Sequence, residues 1–515
     1  MKDKIYDVII IGAGPAGASL AYFLSDRDLR VALVEKKKYA DTPVRCAELV
    51  PKAFTMLYSD KIKGINKEVS HMETYIEGGL ANIKGSAGYI LDRDIFIDFL
   101  IKEFVKKGGE YLNAACFINA SYSCPDENIS FRSNDIGSAA RKAGRQINLN
   151  ETGNIFVSIS QNGIMSCLNT KILAGADGPL SRVAQIMELM QYDEFIFQKD
   201  LSSKNNSLKC FGENSSYKEE SFLKDSGRNT SCKEESFLKD SVENSSCKEE
   251  SFLKDFRGSI AHGNKRMMKG FKETLRSKKY SFLTCFQENI NKEKNNENNV
   301  KIFFYPFIMG GYGWVFPKNE SLNVGIAVNI NTLKENALKN IYQENALKNI
   351  YQKNGLKDLY QKNGLKNIYQ ENRLKNIYQR FKSELVKNMV IKGNEHINST
   401  ISGLIPAGGI KNSLASGRIV LIGDAAGLCN PITGAGNYNA AASAKIAAIK
   451  IKTAINTGNM EILKEAQNDI SDYFKTSINH ALKKRQVLEE NKGGYDFESL
   501  IKKTWVSFKD YWQQR

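Results

Sequence analysis

Three observations predict an α/β fold for this chain. It opens with a strand, a glycine-rich turn, a helix and a second strand; two later apolar strands each run into a Gly/Asp turn; and between these lie strand-like segments of alternating character. The opening reads Tyr6-Asp-Val-Ile-Ile-Ile, then Gly12-Ala13-Gly14-Pro15-Ala16-Gly17, then an alanine-bearing stretch to Leu24, then Val31-Ala-Leu-Val-Glu35-Lys36. A β-branched run suits a strand buried on both faces of a parallel sheet. In a Rossmann-like turn the first glycine permits the sharp bend, the second lets a pyrophosphate approach the backbone, and the third lets helix and strand pack closely. The helix N-terminus then faces the phosphates, and an acid about twenty residues on accepts from a ribose hydroxyl, a place that Glu35 occupies. A glycine triplet alone is a weak signal. With strand, helix and acid all beside it, a dinucleotide-binding unit is expected.

The two later turns read Lys171-Ile-Leu-Ala-Gly-Ala into Asp177-Gly178, and Arg418-Ile-Val-Leu-Ile into Gly423-Asp424. The second continues through Pro431-Ile-Thr433 to Gly434-Ala435-Gly436. Asp424 can accept from the hydroxyls of a ribityl chain. The N–H groups of Thr433 to Gly436, at a helix start, can meet a phosphate or the polar edge of a flavin. This three-part set resembles the FAD-dependent oxidoreductases of the aromatic-hydroxylase and geranylgeranyl-reductase superfamily. An NAD-only Rossmann enzyme needs neither of the last two motifs. The resemblance implies FAD as cofactor, held by a Rossmann-like domain with an interleaved antiparallel-sheet substrate domain and a C-terminal helical region.

Two segments narrow the branch. Thr42-Pro43-Val44-Arg45-Cys46-Ala47-Glu48 carries a cysteine after Pro-x-x, which is similar to the geranylgeranyl reductase family. That resemblance places Arg45, Cys46 and Ala47 along the flavin ring, with Cys46 as an acid or a positioning group. Read without it, Cys46 is equally a small buried hydrophobe, and Glu48 is a proton source only if desolvated. The other segment, Gly311-Tyr312-Gly313-Trp314-Val315-Phe316-Pro317-Lys318, resembles the family's Tyr-x-Trp-x-Phe-Pro-Lys signature. Tyr312, Trp314 and Phe316 alternate and so share one strand face. An aromatic face suits an isoprenoid chain, recognised by apolar burial at about 25 cal/mol per Å²; ordinary sheet core is the competing reading. The resemblance also implies that Arg93 reaches toward FAD, against the alternative of a solvated first-turn cation. The chain departs from the family pattern in two places: Cys46 is followed by Ala-Glu, and Gly436 by Asn-Tyr-Asn, where an apolar residue is usual. Both bear on substrate identity more than on FAD.

Composition sets outer bounds. With 515 residues, 42% of them hydrophobic, the chain can fill a large core or two lobes. Its net charge of +16 would favour an anionic membrane surface or a diphosphate substrate, although much of it falls in low-complexity stretches rich in Lys and Asn. The basic stretch Arg257 to Lys294 carries no nucleic-acid module, so no nucleic-acid partner is expected. Nine cysteines show no metal-ligand spacing, and no metal centre is expected. With neither a signal segment nor an apolar run of the ~20 residues that span a bilayer, a cytoplasmic protein is expected, at most peripheral at the membrane surface.

Two repeat tracts interrupt the motifs. Lys-Glu-Glu-Ser-Phe-Leu-Lys-Asp recurs at Lys218, Lys233 and Lys248, and a nine-residue unit runs in five copies from Glu335 to Gln379. Each nine-residue copy places Leu, Ile (Leu359 in the third copy) and Tyr on a helical stripe, as at Leu338, Ile341 and Tyr342. Nine residues make about 2.5 helical turns, so successive stripes face opposite sides. Both tracts are expected to be tolerated insertions. The domain map that follows has a βαβ unit at 1–75, continued at 76–118 and 151–186, and a substrate sheet at 187–199 and 300–405. It further has insertions at 200–299 and 335–379, the Gly-Asp motif and its helix at 406–455, and a helical region at 456–515. Excising the first insertion would bring Gln191 to Gln198 beside Lys301 to Pro306, two strand-like segments expected to pair.

The activity implied by the resemblance is saturation of carbon–carbon double bonds in a polyprenyl group. Its bearer would be a prenylated lipid, quinone or pigment precursor. The electron donor would be NAD(P)H or ferredoxin, since no second nucleotide-binding unit is apparent. An aromatic-hydroxylase-like flavin monooxygenase and a flavin-binding scaffold with interaction repeats stand as alternatives.

Overall fold

The computed structural model describes residues 4–25, 28–58, 62–122, 153–191, 282–292, 295–308, 310–329, 364–491 and 493–513. Apart from 189–191 they belong to one unit made of Met1–Cys124, Thr152–Glu188 and Thr274–Arg515. The opening motif forms β1 (Ile5–Ile11), α1 (Pro15–Leu24) and β2 (Val31–Val34). Then come β3 (Leu49–Val50), a tight helical turn at Lys52–Leu57, β4 (Ile65–Ile76), β5 (Gly79–Leu91) and α2 (Arg93–Lys106). β6 (Glu110–Leu112), β7 (Ala115–Ser121), β8 (Ile155–Gln161) and β9 (Ile164–Gly175) follow. The chain continues with β10 (Phe282–Asn291), β11 (Asn299–Phe304), β12 (Tyr312–Pro317), β13 (Ser321–Asn329) and α3 (Gly364–Lys387). It closes with β14 (Ile397–Pro406), β15 (Ala415–Ser416), β16 (Ile419–Leu421), a tight turn at Gly423–Ala426, and helices α4 (Asn437–Thr457), α5 (Ile462–Glu490), α6 (Phe497–Thr504) and α7 (Lys509–Trp512).

The first sheet runs β15-β16-β9-β1-β2-β6, with β8 and β7 added beside β9. β1 pairs in parallel with β2 and β9, and β9 in parallel with β16. Ile11 lies opposite Val34 on one side and Gly175 on the other, and Gly175 opposite Leu421. The three motif strands therefore stop level, and the turns after them gather at one carboxyl edge, where open α/β sheets bind ligands. The alanine-rich α4 buries Ala440, Ala441, Ala444, Ala447 and Ala448, small side chains that let it lie close to its neighbours.

The second sheet runs β14-β10-β13-β12-β11-β4-β5-β3 and is antiparallel except where β11 meets β4. Its pleat sorts two cores. Phe286, Phe303, Val315, Val324 and Ile326 face Tyr378, Phe381 and Leu385 of α3. Phe304, Tyr312, Trp314 and Phe316 face Trp505, Phe508 and Tyr511 of the C-terminal segment. Gly313 makes the first contact possible, because a Cβ there would stand 2.5 Å from the Phe381 ring. Each large apolar side chain buried in this way contributes about 1.5–3 kcal/mol.

This topology moves the expected domain boundaries. β3, β4 and β5 belong to the second sheet, although 1–75 and 76–118 were expected to be nucleotide domain. β10 falls inside the expected 200–299 insertion, yet it pairs with β13 and β14 along its length. The pairing expected for Lys301 to Pro306 is also taken, since β11 has β12 on one side and β4 on the other. Residues 192–198 lie outside the described residues, as do the first repeat tract and most of the second. Within α3, Leu374 and Tyr378 of the last nine-residue copy are buried against the second sheet. Among the described residues, no helix is long and apolar enough to cross a membrane.

Candidate active site

At the carboxyl edge each glycine of the first turn has its own reason. Gly12 has φ +97°, and a Cβ there would stand 2.5 Å from the carbonyl oxygen of Ala176. A Cβ on Gly17 would overlap the Gly12 carbonyl, whereas Gly14 has open space on its Cβ side. α1 has Gly14 as its N-cap, with no side-chain cap and no acid in its first turn, so the N–H groups of Ala16 and Gly17 are left for an anion. Glu35 is buried; its carboxylate accepts from Ala13 N–H at 2.8 Å and from Lys37 N–H at 2.9 Å, locking the turn to the end of β2. Lys36 points to solvent. Gly423, with φ +57°, backs onto the first turn of α1, where its Cβ would stand 2.7 Å from that of Ala16. The three distant motifs thus meet.

Their two aspartates are used differently. Asp177 serves the fold. One carboxylate oxygen accepts from Ser181 Oγ–H at 2.5 Å, and the other from the N–H groups of Arg182 and Val183 at 2.7 and 3.2 Å, capping the helix at 182–191. Burial raises its pKa against those donors, and the neighbouring Gly178, with φ +87°, is open on its Cβ side. The Asp424 carboxylate makes no hydrogen bond among the described residues, and burial pushes it up to about 6 despite the charge of Arg93. It stands beside Gly436, whose Cβ would lie 3.1 Å from Oδ1.

The loop before α4 keeps fewer free donors than its sequence suggests. Thr433 N–H donates to Asn430 Oδ1 at 3.0 Å, Gly434 N–H to the Asn430 carbonyl at 2.9 Å, and Ala435 N–H to Thr433 Oγ1 at 3.3 Å. Of the four N–H groups expected to meet a ligand, that of Gly436 remains. The loop also reaches the second sheet, where the Tyr312 hydroxyl donates to the Thr433 carbonyl at 2.5 Å.

Cys46 sits between the second sheet and the start of α4. Its carbonyl accepts from Gln287 Nε2 and Asn323 Nδ2, each at 3.2 Å, and Asn323 Oδ1 in turn accepts from the Trp314 indole at 2.8 Å. Its Sγ accepts from Glu48 N–H at 3.2 Å and from Asn437 Nδ2 at 3.4 Å. Ala47 packs against the aromatic core, while Arg45 is exposed along β14, beside Gly403. Arg93 is buried rather than solvated. It grips Asp41 through Nε at 2.6 Å and Nη2 at 2.7 Å, donates from Nη1 to Asn437 Oδ1 at 3.3 Å, and gives its N–H to Glu48 at 2.9 Å. Burial alone would lower the Arg93 pKa, but the charge and hydrogen bonds of Asp41, with the charge of Glu48, outweigh it and raise it. Glu48 also accepts Lys318 Nζ at 2.6 Å, and Lys318 reaches Asp92 at 3.0 Å. Burial raises the Glu48 carboxyl above its usual range, opposed by Lys318. Tyr312, Trp314 and Phe316 are buried side by side on one face, under the C-terminal segment.

Sequence reasoning did not single out Asp41, Lys318, Gln287, Asn323 or Asn437. Lys318 ends the aromatic signature and Asn437 was visible as a departure from the family pattern, so each had a signal. Gln287 and Asn323 are ordinary polar positions on strands, and only pairing turns them toward Cys46. Among the described residues no group of His, Cys, Asp or Glu could hold a metal ion.

Residues 282–364 match the family model for the geranylgeranyl reductase catalytic domain, and residues 7–76 that for FAD dependent oxidoreductases. Over these two segments the chain is similar to the geranylgeranyl reductase family and to FAD-dependent oxidoreductases. It is 22% identical over 507 residues to the digeranylgeranylglycerophospholipid reductase of Methanococcus aeolicus, covering 95% of this chain and 88% of that protein. To the enzyme of the same name from Methanosarcina acetivorans it is 37% identical over 118 residues, 21% of this chain and 28% of the other. The geranylgeranyl bacteriochlorophyll reductase-like protein of Thermoplasma acidophilum shares the fold, with a TM-score of 0.59 at 17% identity over 98% of this chain and 92% of that one. The residues present fit an FAD: an uncapped α1 N-terminus beside open Gly14 for phosphate, and an Asp424 carboxylate lacking a donor among the described residues.

Proposed function

We propose that this protein saturates isolated carbon–carbon double bonds of a polyprenyl group carried by a lipid. The observation that carries the reading is the geranylgeranyl reductase catalytic match over 282–364, which falls on β10 to β13, the strands bearing the aromatic face. Two hydrogen-bonded links support it. Trp314 is tied through Asn323 to Cys46, and Tyr312 is tied to the loop after Asp424. When bound, reduced FAD supplies a hydride equivalent to one alkene carbon. The residues that would hold it are Gly12 to Gly17 with Glu35, then Gly423 and Asp424, then Gly434 to Gly436; Arg93 shapes the site through Asp41 and Asn437.

An isolated alkene has no carbonyl to polarise. Positioning would therefore fall to apolar burial beside the Tyr312, Trp314 and Phe316 strand, whose own face is covered by Trp505, Phe508 and Tyr511, and water must be kept out. Cys46 would give the second alkene carbon its proton. The donor of electrons would be NAD(P)H or ferredoxin, and the bearer of the prenyl group a lipid, quinone or pigment precursor.

The test is anaerobic. The purified yellow protein is photoreduced and a geranylgeranyl lipid is added. Return of the oxidised flavin spectrum, with product mass rising in steps of two hydrogens, is the expected result. Reoxidation only by oxygen with an aromatic acid would point to a monooxygenase instead, and no turnover to a scaffold.

A further inference from the structure

The geometry points to Asn437 as a positioning residue that aims the thiol proton of Cys46. This rests on the reading of Cys46 as proton donor. A thiol sulfur carries one hydrogen and two lone pairs besides its Cβ bond. Both lone-pair directions at Cys46 are used, one by Glu48 N–H at 3.2 Å and one by Asn437 Nδ2 at 3.4 Å. The S–H bond is left the remaining direction, away from both donors.

The orientation of the Asn437 amide is fixed by its other end. Arg93 can only donate, and its Nη1 lies 3.3 Å from Asn437 Oδ1, so the NH₂ end must face the sulfur. Arg93 is itself held by two hydrogen bonds to Asp41. Asn437 is 8% exposed and is the first residue of α4, so its backbone is set by the helix. Glu48 N–H is equally fixed, because its carboxylate is pinned by Lys318 and by the N–H of Arg93. Two rigid donors, from opposite ends of the chain, grip one sulfur. In the step they serve, the Cys46 S–H bond breaks, a C–H bond forms, and the thiolate left behind regains a proton from water. The hydride equivalent on the other carbon is the one reduced FAD supplies.

Two variants test this. Asn437→Leu places an apolar side chain there, and Asn437→Asp keeps the shape but cannot donate to sulfur. In deuterated water the wild type is expected to deliver deuterium to one face of the alkene. Both variants, still yellow with bound FAD, should give mixed faces and a kcat about tenfold lower (~1.4 kcal/mol), with KM within about twofold. Single-face delivery at undiminished kcat in both variants would overturn the proposal. A second measurement needs no turnover. In urea denaturation of the FAD-loaded protein, Asn437→Leu should shift the midpoint when Cys46 is present and have a smaller effect in a Cys46→Ala background. Additive shifts would also overturn it. Absence of any prenyl reduction by the wild type would instead remove the functional reading and leave the sulfur contact to the urea cycle.

Discussion

Lys318 is the cation that opposes the cost of burying the Glu48 carboxylate. With Glu48 buried and ion-paired to it at 2.6 Å, Lys318→Met leaves the carboxylate without its ion-pair partner. Losing one partner of such a pair costs about 3–5 kcal/mol. Because burial holds the Glu48 pKa above its unfolded value, the penalty should be present at neutral pH and shrink as pH falls and the carboxyl protonates. Adding Glu48→Gln should recover much of the loss, which urea titrations at two pH values would measure. Asp424 carries a related sign. Its carboxyl, at about 6 in the fold against an ordinary 3.8, destabilises the FAD-free protein above pH 6 and not near pH 4. Asp424→Asn should therefore stabilise the FAD-free protein at pH 8 by on the order of 1–3 kcal/mol, and weaken FAD retention on a desalting column. The glycines of the first turn divide likewise: Gly12→Ala and Gly17→Ala meet backbone and should abolish folding or FAD binding, while Gly14→Ala should fold. At this scale the sequence was informative about which residues gather and less so about what they bond. Asp177 reads as a ligand-facing acid, yet its oxygens cap a helix; Arg93 reads as reaching for cofactor, yet Asp41 takes two of its donors. A side chain's partner depends on loops folded from elsewhere in the chain, which no local pattern encodes.

Among the elements, α3 shows how a repeat becomes architecture. Leu374, Tyr378, Phe381 and Leu385 follow one another at helical spacing and are all buried, so the final copy of the nine-residue unit supplies the start of a core stripe. A buried ion pair from Lys382 to Glu288 at 2.9 Å, shared with the Tyr378 hydroxyl at 3.0 Å, fixes the helix on β10. Phe381→Ala removes the ring seated over Gly313 and should cost about 3–5 kcal/mol by chemical denaturation. Tyr378→Phe keeps the packing and loses one hydrogen bond to a charge, which should cost about 1.5–3 kcal/mol. β1, α1, β2, β9, β12 and β16 were legible because each carries its own periodicity and punctuation. The sheet membership of β3, β4, β5 and β10 was not, because local character says that a segment is a strand and not which strand it will join.

Over the whole molecule, the second sheet is assembled from strands on both sides of the first repeat tract. Its aromatic face is closed by Trp505, Phe508 and Tyr511, so a chain ending before Trp505 should uncover Phe304 and Tyr312 and bind a hydrophobic dye that the full chain does not. The parallel join of β11 to β4, with Asn299 opposite His71, has a further consequence for how the protein is made. During synthesis the β4–β5 hairpin emerges early, with the outer edge of β4 unpaired until β11 has been translated. Closing that gap loses chain entropy only logarithmically, about 0.6 kcal/mol for each doubling of the loop, so the long intervening tract taxes equilibrium stability little. What it lengthens is the wait. A nascent chain stalled before β11 would present a bare strand edge, and such ribosome-bound intermediates should be the ones that chaperones hold.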